Sequence, residues 1–190
     1  MKNKLIVFEG IDGVGKTTLA KETIKMLRKA GIEAVLYESV ENKTVGFNKI
    51  KSFIKQGPIE ASHLFYLASS VYKSSLIKQI LQKSWVVCDR YVYSTNAHHW
   101  VKGSTLQTSN LDIIKPDFTF LIVSDEKIRA HRILQRRKIT EDDLVPKIKG
   151  SLLYKKEAFL KKMHLTLIEN SGLLGVSMQK IRNIMLSKTK

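Results

Sequence analysis

Acidic residues are scarce in this chain. Seventeen Asp and Glu stand against 33 Lys and Arg, a formal charge of +16. The imbalance points to an anionic partner, whether nucleotide, nucleic acid or anionic membrane, with a lysine-rich solvated surface as the plainer source of most of the excess. Cysteine is nearly absent. Cys88 stands alone, which excludes an intrachain disulfide and fits a reducing compartment. No apolar run approaches the ~18 residues of a membrane span. The N-terminal run Leu5–Phe8 is too short for a signal-peptide core, so a cytoplasmic protein is expected. Internal repeats, low-complexity tracts and linkers are missing too. With 190 residues and 43% hydrophobic content, the chain is long enough to bury a core without staples. A single domain over 1–190 follows.

Short apolar runs alternate with longer helical periods. Strands are expected at 4–9, 33–37, 85–89, 118–123 and 165–168. Helices are expected at 16–30, 45–55, 60–83, 94–101, 125–138, 144–162 and 176–186. In the first helix Leu19, Thr23, Met26, Leu27 and Ala30 recur at helical spacing, and Gly31 is a natural stop. Strands separated by helices imply βαβ units: an α/β fold with a parallel sheet covered on both faces.

The most specific signal is Gly10-Ile11-Asp12-Gly13-Val14-Gly15-Lys16-Thr17, which matches GxxxxGK[ST] at every fixed position. A buried strand precedes it and a helix follows. In such a loop the glycines let successive backbone N–H groups face a phosphate, and the helix N-terminus adds positive potential. Gly10, Gly13, Val14, Gly15, Lys16, Thr17 and Thr18 are therefore the expected ATP-binding residues. Lys16 reaches toward the β- and γ-phosphates and Thr17 offers its hydroxyl to Mg²⁺. The motif leaves the phosphoryl acceptor open. The NKxD base-reading pattern of GTPases is absent, and the chain is short for a motor with a separate working domain, so a small kinase remains.

Asp89 ends the run Val86-Val87-Cys88-Asp89 at the strand edge where parallel sheets place ligands, a suitable second Mg²⁺ ligand. Arg90 follows and suits an acceptor phosphate. Arg129, Arg132 and Arg136 recur three and four apart on one helix, in a chain otherwise richer in Lys. Guanidinium groups suit bidentate phosphate contact, so Arg132 and Arg136 are expected to act on the transferring phosphoryl group. Residues 138–146 read as the polar tip of a lid spanning about 132–146. His98 and His99 lack partners at metal-ligand spacing and suit base contact or a structural role. Cys88 reads as core.

Three segments resemble the thymidylate kinase family of nucleoside monophosphate kinases: FEGIDGVGKTT at 8–18, VVCDRYVYST at 86–95 and PDFTFLIVSDEKIRAHRILQRR at 116–137. The resemblance implies a P-loop, three-layer αβα fold with a five-stranded parallel sheet and a helical lid. It implies Mg²⁺-dependent transfer of the γ-phosphoryl of ATP to dTMP, giving dTDP, and often a homodimer. By the same resemblance Asp12 contacts the acceptor's sugar hydroxyl and Arg90 its phosphate, with Tyr91 and His98 nearby. Gly13 stands where some members carry a basic residue, and Arg136-Arg137 fit the arrangement in which the lid supplies it.

The acceptor side departs from the family pattern. The Pro and Arg after the second strand are missing from Tyr37–Thr44. Val71 falls at the position of a phosphate-gripping Arg, Leu67 at that of the base-stacking aromatic, and His98-His99-Trp100 replaces a Tyr-Gln-Gly-like stretch. Lys43 or Lys73 can replace a missing Arg as a point charge, without its bidentate geometry. Two alternatives follow: the same fold with a different nucleotide or small-molecule acceptor, or a weakly active nucleotide- or nucleic-acid-binding homologue. No nucleic-acid-binding motif is in plain view, so no specific nucleic acid and no membrane are expected as partners.

Overall fold

The computed structural model describes residues 2–37, 45–135 and 147–187. Five strands form one parallel sheet: β1 (Leu5–Glu9), β2 (Ala34–Tyr37), β3 (Trp85–Asp89), β4 (Phe118–Val123) and β5 (Thr166–Glu169), in the order β2-β3-β1-β4-β5. Seven helices lie among the described residues: α1 (Lys16–Lys29), α2 (Val45–Ile54), α3 (Ile59–Ile80), α4 (Val92–Trp100), α5 (Glu126–Leu134), α6 (Leu152–Lys162) and α7 (Leu174–Ser187).

The central strand shows why the apolar runs are continuous. Ile6 and Phe8 face a core built with Leu19, Ile24 and Leu27 of α1 and with Ile181 and Met185 of α7. Leu5 and Val7 face the other side, packing with Val86, Cys88 and Ile77 of α3. Farther along that side, Leu121 and Val123 of β4 meet Ala97 of α4 and Leu160 of α6. A strand covered on both faces has no position for a polar residue until it reaches the sheet edge. The expected three-layer architecture is the one observed.

Strand order reverses about β1: its crossover runs to β2 on one side, and that of β4 to β5 on the other. A crevice opens at such a point, outside the carboxyl ends of the strands. Glu9, Asp89 and the Asn170 that follows β5 all reach this edge.

Two helix boundaries differ from the sequence expectation. The helix expected over 144–162 begins only at Leu152, where Ser151 caps it by accepting the Tyr154 N–H at 3.2 Å. Lys149 and Gly150 ahead of it form a turn, with Gly150 at φ +87. The basic helix begins at Glu126, capped by Asp125, and its described part ends at Leu134. Arg136, Arg137 and the lid tip lie outside the described residues, as does Lys43.

Candidate active site

The phosphate loop joins β1 to α1 and borders a cavity of about 580 Å³. Gly13, Gly15, Lys16, Thr17 and Thr18 line it, together with Asp89, Arg90 and Arg132. Gly10 and Val14 are not on its wall. The Gly10 backbone, at φ +140, abuts the β4 backbone at Ile122, leaving no room for a side chain. The Val14 side chain is fully buried, and its carbonyl accepts from Asn170 Nδ2 at 2.8 Å and from the Arg132 guanidinium at 3.3 Å.

Gly13 has a tertiary explanation. A Cβ there would meet Arg129 Cγ at 2.8 Å and Ile133 Cδ1 at 2.9 Å. Helix α5 thus occupies the space that a basic side chain in the loop would need. Arg129 is 2% exposed and forms a fork with the Glu126 carboxylate, both contacts at 2.7 Å, while its remaining nitrogen reaches the Asp12 carbonyl at 3.2 Å. It braces the loop from behind. Arg132, one turn on, reaches the cavity.

Lys16 is buried and donates to the Ile11 carbonyl at 2.8 Å. Burial first, and then Arg90, pulls its ammonium down to about 7. A phosphate chain would supply the negative charge that restores its proton. Beyond it, the Thr17 hydroxyl donates to Asp89 Oδ2, and Asp89 Oδ1 is buried with no hydrogen-bond partner. A hydroxyl and an orphaned carboxylate oxygen facing a phosphate cavity fit a hard divalent cation, which takes its other ligands from phosphate and water. Among the described residues there is no cluster of three or more His, Cys, Asp or Glu side chains that would enclose a metal.

Arg90 stands at the junction. It is at φ +72, a left-handed conformation unusual for a residue with a side chain. Its guanidinium contacts Asp12 Oδ1 at 2.5 Å, the Gly10 carbonyl at 2.9 Å and Ser94 Oγ at 3.2 Å. Burial pushes the Asp12 carboxyl up, but Arg90 and Lys16 outweigh it and hold the group down to about 2.

Both Asp12 and Arg90 also line a second cavity of about 420 Å³. Tyr66 of α3 and Ser94, Thr95, His98 and His99 of α4 form its wall, with Lys55, Lys102 and Lys156 around it. Burial first, and then nearby lysines, drops His98 to about 3; burial chiefly lowers His99 to about 4, so both are neutral. His99 packs face to face with the buried His63 at 4.6 Å. A smaller compartment of about 200 Å³ adjoins, walled by Tyr66, Ser69, Ser70, Lys73 and Tyr91.

These positions revise the acceptor side. Leu67 is buried and lines neither compartment; Tyr66 takes the wall instead, because neighbours on a helix point about 100° apart. Val71 does not line the compartments either, whereas Lys73 does: its ammonium donates to the Arg90 carbonyl at 2.7 Å and lies over the Tyr37 and Tyr91 rings. Cys88 is buried in β3, and burial pushes its thiol up to about 12, which makes it inert.

Sequence reasoning missed two supporting residues. Glu9, fully buried at the end of β1, accepts the Tyr91 N–H at 2.8 Å and the Ser94 hydroxyl. It caps α4 from another element, since Tyr91 at the helix start has no side-chain cap of its own. Burial raises its carboxyl. Its only signal was an acid closing an apolar strand. Asn170, just past the short strand expected at 165–168, links the Val14 carbonyl to Ser177 of α7.

Comparison with known proteins agrees with this geometry. The family profile described as thymidylate kinase matches residues 8–173. A probable thymidylate kinase of Methanocaldococcus jannaschii is 34% identical over 158 residues, covering 80% of each chain. The thymidylate kinase of Plasmodium falciparum is 33% identical over 130 residues, 64% of this chain and 61% of that one. The solved structure of Candida albicans thymidylate kinase superposes with a TM-score of 0.72 at 18% identity, covering 98% of this chain and 93% of that chain, and supports the fold. Motif, cavity and sequence match converge, and the chain belongs to the thymidylate kinase family.

Proposed function

We propose that this chain transfers the γ-phosphoryl group of ATP to dTMP, giving ADP and dTDP. The observation that carries the reading is the Arg90–Asp12 pair, which borders both the phosphate-loop cavity and the second cavity. A group bound in each meets at that pair.

An acceptor phosphate oxygen is already a competent nucleophile near neutral pH. It attacks the γ-phosphorus, the bond to the β–γ bridging oxygen breaks, and ADP leaves with that electron pair. No protein base is needed, so catalysis consists of positioning and charge neutralisation. Lys16 leaves the Ile11 carbonyl for the β- and γ-phosphates. Arg90, pre-oriented by Gly10, Asp12 and Ser94, turns its guanidinium to the acceptor phosphate. Asp12, ionised, accepts a sugar hydroxyl. Tyr66 and the neutral His98 bound the sugar and base, and Tyr91 closes the adjoining compartment. Arg132 lies beside the donor phosphates, and Arg136 is assigned to the same task from the lid. Mg²⁺, held by Thr17 and Asp89, supplies neutralisation of the donor's phosphate charge when bound. The homodimer implied by the family resemblance belongs to this proposal and is measured by sedimentation of the intact chain.

The test is a coupled ADP-release assay over the common nucleoside monophosphates with ATP and Mg²⁺. Strong turnover of dTMP, abolished by EDTA, is expected. Preference for a different monophosphate, or ADP release independent of any acceptor, would overturn the assignment.

A further inference from the structure

The acceptor cavity carries more positive charge than one phosphate requires. Arg90 and Asp12 occupy the end shared with the donor cavity and are paired with each other. The rest of the wall adds three more cations: Lys55 after α2, Lys102 after α4 and Lys156 on α6. Among the described residues, Asp12 is the only carboxylate on that wall. Among the described residues, none of the three ammonium groups has an ion-pair or hydrogen-bond partner. They come from three separate elements, so their convergence is a product of the fold.

His98 marks where they converge. After burial, the influences that hold its imidazole neutral are Lys156, then Lys102, with Lys55 also contributing. Lys156 is itself held down to about 8 by burial and by Arg90. Asp12 and Glu9 offset only part of this charge for Lys156; an anion placed among the lysines relieves the repulsion that remains. The base of dTMP is neutral and would leave these ammonium groups uncompensated, whereas its phosphate is met at the other end by Arg90.

We propose that the His98 end of this cavity is a second anion site, fitting nucleoside monophosphates that carry an additional carboxylate or phosphate away from the phosphate that accepts the transferred group. Lys55, Lys102 and Lys156 supply the charge, and the neutral His98 supplies a hydrogen-bonding partner. The inference rests on the reading of this cavity as the acceptor site.

Calorimetry on the full chain tests it with three ligands: dTMP, thymidine 3′,5′-bisphosphate and 5-carboxy-2′-deoxyuridine 5′-monophosphate. The bisphosphate places the second anion on the sugar, the carboxylate on the base. At least one is expected to bind roughly tenfold more tightly than dTMP. The gain should shrink in about 0.5 M NaCl, because the exposed Lys55 and Lys102 are screened. It should vanish in the combined Lys55→Gln, Lys102→Gln, Lys156→Gln variant, which is expected to lose roughly tenfold more affinity for the ligand with the extra anion than for dTMP. Circular dichroism checks that variant's fold, and the three single variants replace it if it does not fold. Equal affinity for all three ligands overturns the second anion site, as does a variant that weakens dTMP as much as the bisphosphate and the carboxylate. If dTMP is turned over normally and neither the bisphosphate nor the carboxylate gains, this inference alone fails. If dTMP neither binds nor reacts, the acceptor assignment fails with it.

Discussion

The two sides of the cleft are built differently. The donor side is built around one contiguous run of chain, Gly10 to Thr18, whose backbone curls between a strand and a helix, with Asp89, Arg90 and Arg132 added from elsewhere. The acceptor side is assembled from Asp12 of the loop, Arg90 after β3, the α2–α3 turn, α3, α4 and α6, and its chemistry rests on side chains. A backbone cradle tolerates little change, because each position must avoid a neighbouring main chain or a packed side chain, as Gly13 must beneath Arg129 and Ile133. A side-chain wall can be rewritten one residue at a time. This explains how the donor motif is complete while the acceptor positions depart from the family pattern.

Substitutions on either side should break this contrast in different kinetic constants. Lys16→Ala is expected to have the largest effect, lowering kcat by roughly 10³-fold with the fold intact, since its ammonium is worth most as charge develops on the transferring group. Steady-state kinetics alongside circular dichroism measures this; near-normal kcat would remove Lys16 from the mechanism. Arg90→Lys should reduce kcat/KM for dTMP by about 10²-fold and change KM for ATP far less, because an ammonium cannot reproduce the forked contact. An equal loss for both substrates would mean that Arg90 holds the loop rather than the acceptor.

Glu9→Ala comes next. It strands the Tyr91 N–H and the Ser94 hydroxyl in a buried site, at a cost of about 1–3 kcal/mol in chemical denaturation. It should also raise KM for dTMP by about tenfold, more than that for ATP, because α4 carries the acceptor wall. The smallest signal is protonic. Lys16 lies at about 7 in the free chain, and bound phosphates raise it. At about pH 8 the free side chain is mostly neutral and the bound one charged, so ATP binding takes up close to one proton; at about pH 6 both states are charged and uptake approaches zero. Calorimetry in buffers of differing ionisation enthalpy reads this directly. Flat behaviour across that range would mean Lys16 is charged throughout.

Much of the sheet was legible because buried parallel strands leave unbroken apolar runs, and Ile6, Phe8, Leu5 and Val7 all face a core. Helix ends were less so. Leu144 to Lys162 kept a plausible apolar period, but Gly150 and the Ser151 cap start the helix at Leu152. On the acceptor side the long helix was legible and its rotation was not. Tyr66 rather than Leu67 reaches the cavity, a difference of one residue that periodicity in a largely apolar segment cannot resolve.

By itself the amino-acid sequence determined the α/β class, the phosphate loop and the chemistry of the donor site, because those depend on residues adjacent in the chain and on short-range steric rules. Only the tertiary structure decided how Glu9 caps a helix that begins more than 80 residues later, why Gly13 lies beneath α5, and how lysines from three elements meet around His98. Those relations depend on distances through space, and a pattern along the chain carries no record of them.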